Sequence, residues 1–232
     1  MPINIFRRRL GLALGGGGAR GIAHLGILKH FRSLGVSFHC ISGTSSGSIA
    51  AALFAFGIPL EKMIEEYRKL VPVEISGLKI GGLGLFRNVS LEEMLLRLLP
   101  ADARIEDAPI PMAIIVTDLI SGKKITLRTG SVFEAVMAST CVPGFYLPVE
   151  QDGMMLVDGG LMENVPVSAL KDLGATLKIA VNLNGNSQYV RPEGILDVVS
   201  NALDIAIDSR TREQLNDADL VIALDLTEYS RN

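Results

Sequence analysis

The chain has 232 residues, 48% of them hydrophobic and 20% charged, with a formal net charge of −3 and two cysteines. These figures exclude disorder, collagen and a disulfide scaffold. The longest apolar run, Ile49–Leu60, is about 12 residues and falls short of the roughly 18 that a spanning helix needs.

Charge is unevenly distributed. Residues 1–60 hold six bases (Arg7, Arg8, Arg9, Arg20, Lys29, Arg32), all three histidines and no acid; the remainder sets 16 bases against 25 acids. With no dense basic stripe and an acidic whole, the chain is not expected to bind nucleic acid. An anionic substrate or a peripheral contact with a membrane surface fits the basic segment, as does a solvated tail.

Residues 1–9 form a basic tail. The apolar stretch Leu10–Leu14 is too short for the core of a secretion signal, so a cytoplasmic protein is expected. A strand over Gly11–Leu14 enters Gly15–Gly18, and Ile22, Leu25, Leu28 and Phe31 mark a helix that ends near Gly35. Strand Phe38–Ser42 leads through Gly43-Thr44-Ser45-Ser46-Gly47 into an apolar helix, Ile49–Phe56. Helices follow at Leu60–Leu70 and Leu91–Leu99, separated by the glycine- and aliphatic-rich segment Val71–Val89. Met112–Leu119 and Lys124–Arg128 read as strands, Ser131–Ser139 as a helix, and Pro143–Pro148 as a proline-bounded link. Strand Met154–Val157 runs into Asp158-Gly159-Gly160, followed by helix Val167–Leu173, strand Leu177–Leu183, helix Ile195–Leu215 and strand Leu220–Leu226. This alternation predicts one α/β domain over residues 10–232, built on a mostly parallel sheet covered on both faces. Cys40 and Cys141 lie in apolar stretches and read as buried thiols.

Three motifs carry chemistry. Gly16 to Gly21 satisfies G-x-G-x-x-G, but a dinucleotide site also needs an acid about 20 residues later, and none precedes Glu61. What remains is a glycine backbone whose N–H groups face a helix start and can stabilise negative charge; close helix–strand packing would use the same glycines. Gly43-x-Ser45-x-Gly47 allows a sharp strand-to-helix turn that projects its central serine. About 0.2 such strings arise by chance at this composition, so the flanking strand and helix carry the weight. Only Ser45 has glycines on both sides at two residues' distance, which makes it the candidate nucleophile and leaves Ser46 and Ser48 as helix caps. Its base is not a late histidine, because His24, His30 and His39 all precede Ser45. Unless His24 folds back onto Ser45, the base is a carboxylate, and Asp158 supplies one at the end of an apolar strand. That strand end is expected at the carboxyl edge of the parallel sheet, which also carries the glycine loop and Ser45. By itself Asp158-Gly159 also reads as a turn.

A glycine loop with Arg20, then G-x-S-x-G, then D-G-G, resembles the patatin-like phospholipase family, especially its bacterial cytoplasmic members. His24-Leu25-Gly26, Ala138-Ser139, Pro143, Phe145, Pro148, Asn164 and Pro166 strengthen the match, which runs from about Leu10 to Asp208. The resemblance implies a three-layer α/β/α sandwich and a Ser45–Asp158 dyad that hydrolyses acyl esters of (lyso)phospholipids or related lipids. It places the oxyanion hole at the N–H groups of Gly16, Gly17 and Gly18. Arg20 would add positive charge near the oxyanion or a lipid phosphate, or orient the loop. No cofactor or metal is implied. Val71–Val89 would serve as a flap over an acyl channel, as core, or as a homo-oligomer contact. Similar bacterial proteins often continue further, which leaves a truncated C-terminal end open. The alternative function is a regulatory or adaptor protein that keeps the fold and acts by binding.

Overall fold

The computed structural model describes residues 8–70, 88–186 and 188–229. Its elements, in chain order, begin with β1 (Leu10–Leu14), α1 (Ala23–Ser33), β2 (Cys40–Thr44), α2 (Ser46–Ala55) and α3 (Leu60–Tyr67). Next come α4 (Val89–Leu98), β3 (Met112–Asp118), β4 (Lys123–Leu127), α5 (Val132–Ser139), β5 (Val149–Gln151) and β6 (Met154–Asp158). The chain continues through α6 (Val167–Asp172), β7 (Leu177–Asn182), α7 (Ile195–Gln214) and β8 (Leu220–Ala223). Most of the segment Val71–Val89, with its three alternative roles, lies outside the described residues.

The sheet alternates large and small side chains between its faces. Leu12, Leu14, Ile41, Ile114, Val116, Ile179 and Val181 pack with α1, α2, α4 and α5 in the main core. The opposite face carries Ala13, Cys40, Ala113 and Ala180, and these small residues let α6 approach through Val167, Ala169 and Leu170. Every residue of β2 and β3 is buried, which is why those strands read as apolar runs rather than alternating patterns. Helices on both faces make three layers, as expected.

The sheet is mixed. Strands β3, β2, β1, β7 and β8 are neighbours in that order and run parallel, whereas β4 and β6 pair antiparallel with β3, and β5 with β6. The pairs β3–β4 and β5–β6 follow from short connections, since only antiparallel neighbours can be joined by a hairpin turn, and the second hairpin then docks on β3 through β6. Asp152 (φ 49°) and Gly153 (φ 76°) make such a turn between β5 and β6, and that Asp-Gly pair is the sequence signal for the unpredicted strand β5.

The register of β3 positions the strand ends that carry Ser45 and Asp158. Ile114 and Ile115 pair with β2 on one edge and β4 on the other, while Val116 to Asp118 pair with β6 and β4. Strands β2 and β6 therefore share one lane beside β3 and run toward each other. Thr44 lies level with Ile115 and Asp158 with Val116, so their carboxyl ends meet. The expectation that Asp158 would emerge at the common edge of a parallel array is corrected: it arrives from the opposite direction.

Element ends shift by a few residues for local reasons. Phe38 precedes β2 because its ring packs edge-on against Phe31 and Phe54. Helix α4 starts at Val89, since the Asn88 side chain accepts the Leu91 amide at 3.2 Å.

The close approach of α2 to β1 depends on Gly47, where a Cβ would overlap the Leu14 carbonyl oxygen. Gly47→Ala is expected to cost about 3 kcal/mol or more, read as a lowered urea midpoint; an unchanged midpoint would contradict this packing.

Candidate active site

Between β2 and α2 the backbone turns at Ser45, with φ 51° and ψ −128°, a conformation that a side-chain-bearing residue rarely adopts. Gly43 permits the turn because a Cβ there would stand 2.5 Å from the Gly47 carbonyl oxygen. Ser45 itself occupies the N-cap position of α2, yet its side chain caps nothing. The expected capping by Ser46 and Ser48 is thus revised. Ser48 donates its hydroxyl back to the Ser45 carbonyl at 2.6 Å, and the buried Ser46 hydroxyl has no partner among the described residues.

The Ser45 hydroxyl instead donates to Asp158 Oδ2 at 2.6 Å. Asp158 is held on every side: Oδ1 accepts the Gly160 amide at 2.7 Å, its N–H donates to Cys141, and its carbonyl accepts the Thr117 hydroxyl. A second support was not anticipated from the sequence. Ser139, at the end of α5, accepts the Ser45 amide at 2.9 Å and donates to the Ile115 carbonyl at 2.7 Å, tying the strained turn to β3. Ala138-Ser139 entered the sequence reading only as part of the family resemblance, because no local spacing assigns Ser139 a bond to residue 45.

The glycine loop lies on the other side of Ser45. The Gly15 amide donates to Val181 and the Gly16 amide to the Asn164 carbonyl, both at 3.1 Å. Gly16 was expected to offer its N–H to an oxyanion, and that group is already engaged; the amides of Gly17 and Gly18 have no partner among the described residues. His24 does not reach Ser45. Its Nε2 donates to the Gly15 carbonyl at 2.7 Å, and burial lowers its pKa to about 4, so it braces the loop as a neutral ring. Arg20 is buried, with Nε and Nη2 donating to the Tyr229 carbonyl at 2.9 and 2.6 Å. That contact ties the glycine loop to Tyr229.

Gly16, Gly17, Gly18, Ser45 and Asp158 all line one cavity of about 100 Å³, closed on its far side by Leu203 and Ile207 of α7. Among the described residues, no cluster of His, Cys, Asp and Glu is arranged to hold a metal ion. Nor is any helix of those residues long and apolar enough to cross a membrane.

The family model described as patatin-like phospholipase matches residues 12–171, which contain the glycine loop, the turn at Ser45 and Asp158. The chain belongs to this family. An uncharacterized NTE family protein of Mycobacterium tuberculosis is 34% identical over 181 residues, covering 77% of this chain and 50% of the relative. The lysophospholipase NTE1 of Yarrowia lipolytica is 32% identical over 212 residues, covering 83% of this chain but 14% of the yeast protein. The chain thus spans about half the length of this mycobacterial relative, and 28% of a second M. tuberculosis NTE family protein that is 36% identical over 178 residues. Among solved structures, VipD from Legionella pneumophila shares the fold, with a TM-score of 0.57 and 16% identity over 90% of this chain and 56% of that one.

Within this patatin-like site, burial dominates the electrostatics of Asp158. It pushes the carboxyl up from 3.8 to about 6, against the stabilising bonds from Ser45 and Gly160 and with a contribution from the charge of Asp204. The folded state therefore keeps the proton to higher pH than the unfolded chain. Stability is lost as pH rises from about 4 through 6, by about 3 kcal/mol in all. Asp158→Asn removes the buried charge. The variant is expected to melt roughly 6–12 °C above the wild type at pH 8, with the gap closing toward pH 4. Scanning calorimetry at both pH values checks this, and a variant less stable at pH 8 would refute it.

Proposed function

We propose that this chain is a serine-dependent carboxylic ester hydrolase acting on (lyso)phospholipids or related acyl lipids. The observation that carries the reading is the 2.6 Å hydrogen bond from Ser45, on its strained turn, to a buried carboxylate. Family membership and the yeast relative's description as a lysophospholipase support the substrate class. The cavity, about 100 Å³, is below the roughly 300–1,000 Å³ of drug-sized ligand pockets. It suits an ester and its immediate neighbours rather than an engulfed lipid.

In this mechanism Ser45 Oγ attacks the ester carbonyl while its proton passes to Asp158 Oδ2. An aqueous carboxylate is a poor base for an alcohol. The raised pKa of Asp158, about 6, narrows the mismatch while leaving the group ionised at neutral pH. The carbonyl π pair moves onto oxygen, where the unengaged amides of Gly17 and Gly18 can receive the charge. Collapse of the tetrahedral intermediate breaks the bond to the alcohol, which takes the proton from Asp158. Water, deprotonated by the same carboxylate, then attacks the acyl carbonyl, and the departing Ser45 Oγ takes the proton back from Asp158.

Two outcomes test the reading. A fluorophosphonate should label the wild type at Ser45 and fail to label Ser45→Ala, which should also lose ester hydrolysis by at least about 1,000-fold. A folded wild type that neither labels nor hydrolyses any member of a lipid panel would overturn the enzyme and favour the binding-only alternative. Because Asp158 acts ionised, kcat/KM should stay flat above pH 7 and fall about tenfold per unit below its pKa of about 6. An acid limb centred near 4 would instead place Asp158 at its unshifted value and overturn the raised pKa.

A further inference from the structure

The side chain of Asn164 sits at the centre of this site with nothing to bond. Asn164 is 3% exposed and lines the cavity together with Ser45, Asp158 and the glycine loop. Its main chain is clamped twice: the carbonyl accepts the Gly16 amide at 3.1 Å and the N–H donates to Gln214 Oε1 at 3.0 Å. The missing side chains of two glycines make its surroundings measurable. A Cβ on Gly16 would stand 2.6 Å from Asn164 Oδ1 and 3.1 Å from Ser45 Cβ. A Cβ on Gly160 would stand 3.0 Å from Asp158 Oδ1 and 3.3 Å from Asn164 Oδ1. Carboxamide, nucleophile and base thus converge on the space that Gly16 and Gly160 leave open.

Despite this, Nδ2 of Asn164 is buried and donates to nothing, and Oδ1 accepts no hydrogen bond among the described residues. An unsatisfied buried amide costs about 1–3 kcal/mol, and folded interiors seldom retain one without a use. A purely structural Asn164 would need only its main chain, which already makes both clamping bonds.

Resting on the serine-hydrolase reading above, we propose that Asn164 is a further catalytic residue, whose side-chain NH2 donates to the substrate's carbonyl oxygen as it becomes the oxyanion. When Ser45 Oγ bonds to the carbonyl carbon, the π pair moves to oxygen and the serine proton goes to Asp158. The new charge then meets the amides of Gly17 and Gly18 and the carboxamide of Asn164. A half-turn about χ2 exchanges Oδ1 and Nδ2 and breaks no hydrogen bond, because neither end has one. The donor is therefore held ready, at a standing cost to stability, for a charge that exists only during the reaction.

The test compares wild type, Asn164→Ala and the isosteric Asn164→Asp for ester hydrolysis, melting temperature and affinity for a trifluoromethyl ketone that forms a tetrahedral oxyanion on Ser45. Asn164→Ala is expected to lose about 100- to 1,000-fold in kcat with KM within about threefold. The ketone should bind more weakly by a similar factor, and the melting temperature should not fall. Asn164→Asp should be at least as impaired, since a carboxylate there repels the oxyanion; being isosteric, it decides the matter if the alanine variant does not fold. A kcat within about threefold of wild type in either folded variant, or a loss of kcat with unchanged ketone affinity, overturns the proposal. A wild type that fails to label at Ser45 or to hydrolyse esters instead overturns the serine-hydrolase reading, and this assignment with it.

Discussion

Two strands that share one lane beside β3 impose the constraint on which the site depends. Strand β2 stops level with Ile115 and β6 stops level with Val116, so each must turn out of the sheet where the other arrives. Strand β2 turns by placing Ser45 at a positive φ and starting α2; β6 turns through Gly159 and Gly160. The serine hydroxyl and the carboxylate meet because neither strand can go on. Gly43 and Gly47 are required by the same crowding, since side chains at either position would strike backbone.

The strained turn is held from outside its own motif. Ser139 of α5 satisfies the Ser45 amide and passes a hydrogen bond to β3, while Ser42 and Thr44 of β2 donate to the carbonyls of Pro166 and Glu163. Those carbonyls belong to the segment after Asp158-Gly159-Gly160, which also fixes Gly16 through Asn164. Ser45, Asp158 and the glycine loop are therefore cross-braced by main-chain acceptors, and a displacement of one strains the others. Burial follows from the same arrangement. Asp158 is surrounded by Cys141, Thr117, Ser45 and glycine backbone, while His24 is neutral on Gly15 and Arg20 donates to Tyr229. Desolvation by this burial raises the carboxyl pKa.

Much of this was legible in the sequence. Apolar periodicity located the helices and core strands to within a few residues, because burial on one or both faces writes itself into local composition. Ser45 stood out through its flanking glycines, and Asp158 through the absence of any histidine after residue 39. The direction of β6 was not legible, since the same apolar run serves a parallel or an antiparallel neighbour. The bonding roles of Ser139 and Gln214 were not legible for another reason: they reach residues 94 and 50 positions away.

The sequence by itself determined which residues are able to do chemistry. A segment without acids through residue 60 had no ribose ligand for a dinucleotide, and histidines confined to that segment made a carboxylate the candidate base. Composition and spacing act locally, and they suffice to exclude. Only the tertiary structure decided which groups are engaged and which are unengaged: Gly16 bonded to Asn164 while Gly17 and Gly18 have no partner among the described residues, Arg20 clamped to Tyr229, and Asn164 unbonded at the centre. Those outcomes depend on which distant carbonyl lies within hydrogen-bond reach, a long-range packing result that no local pattern encodes.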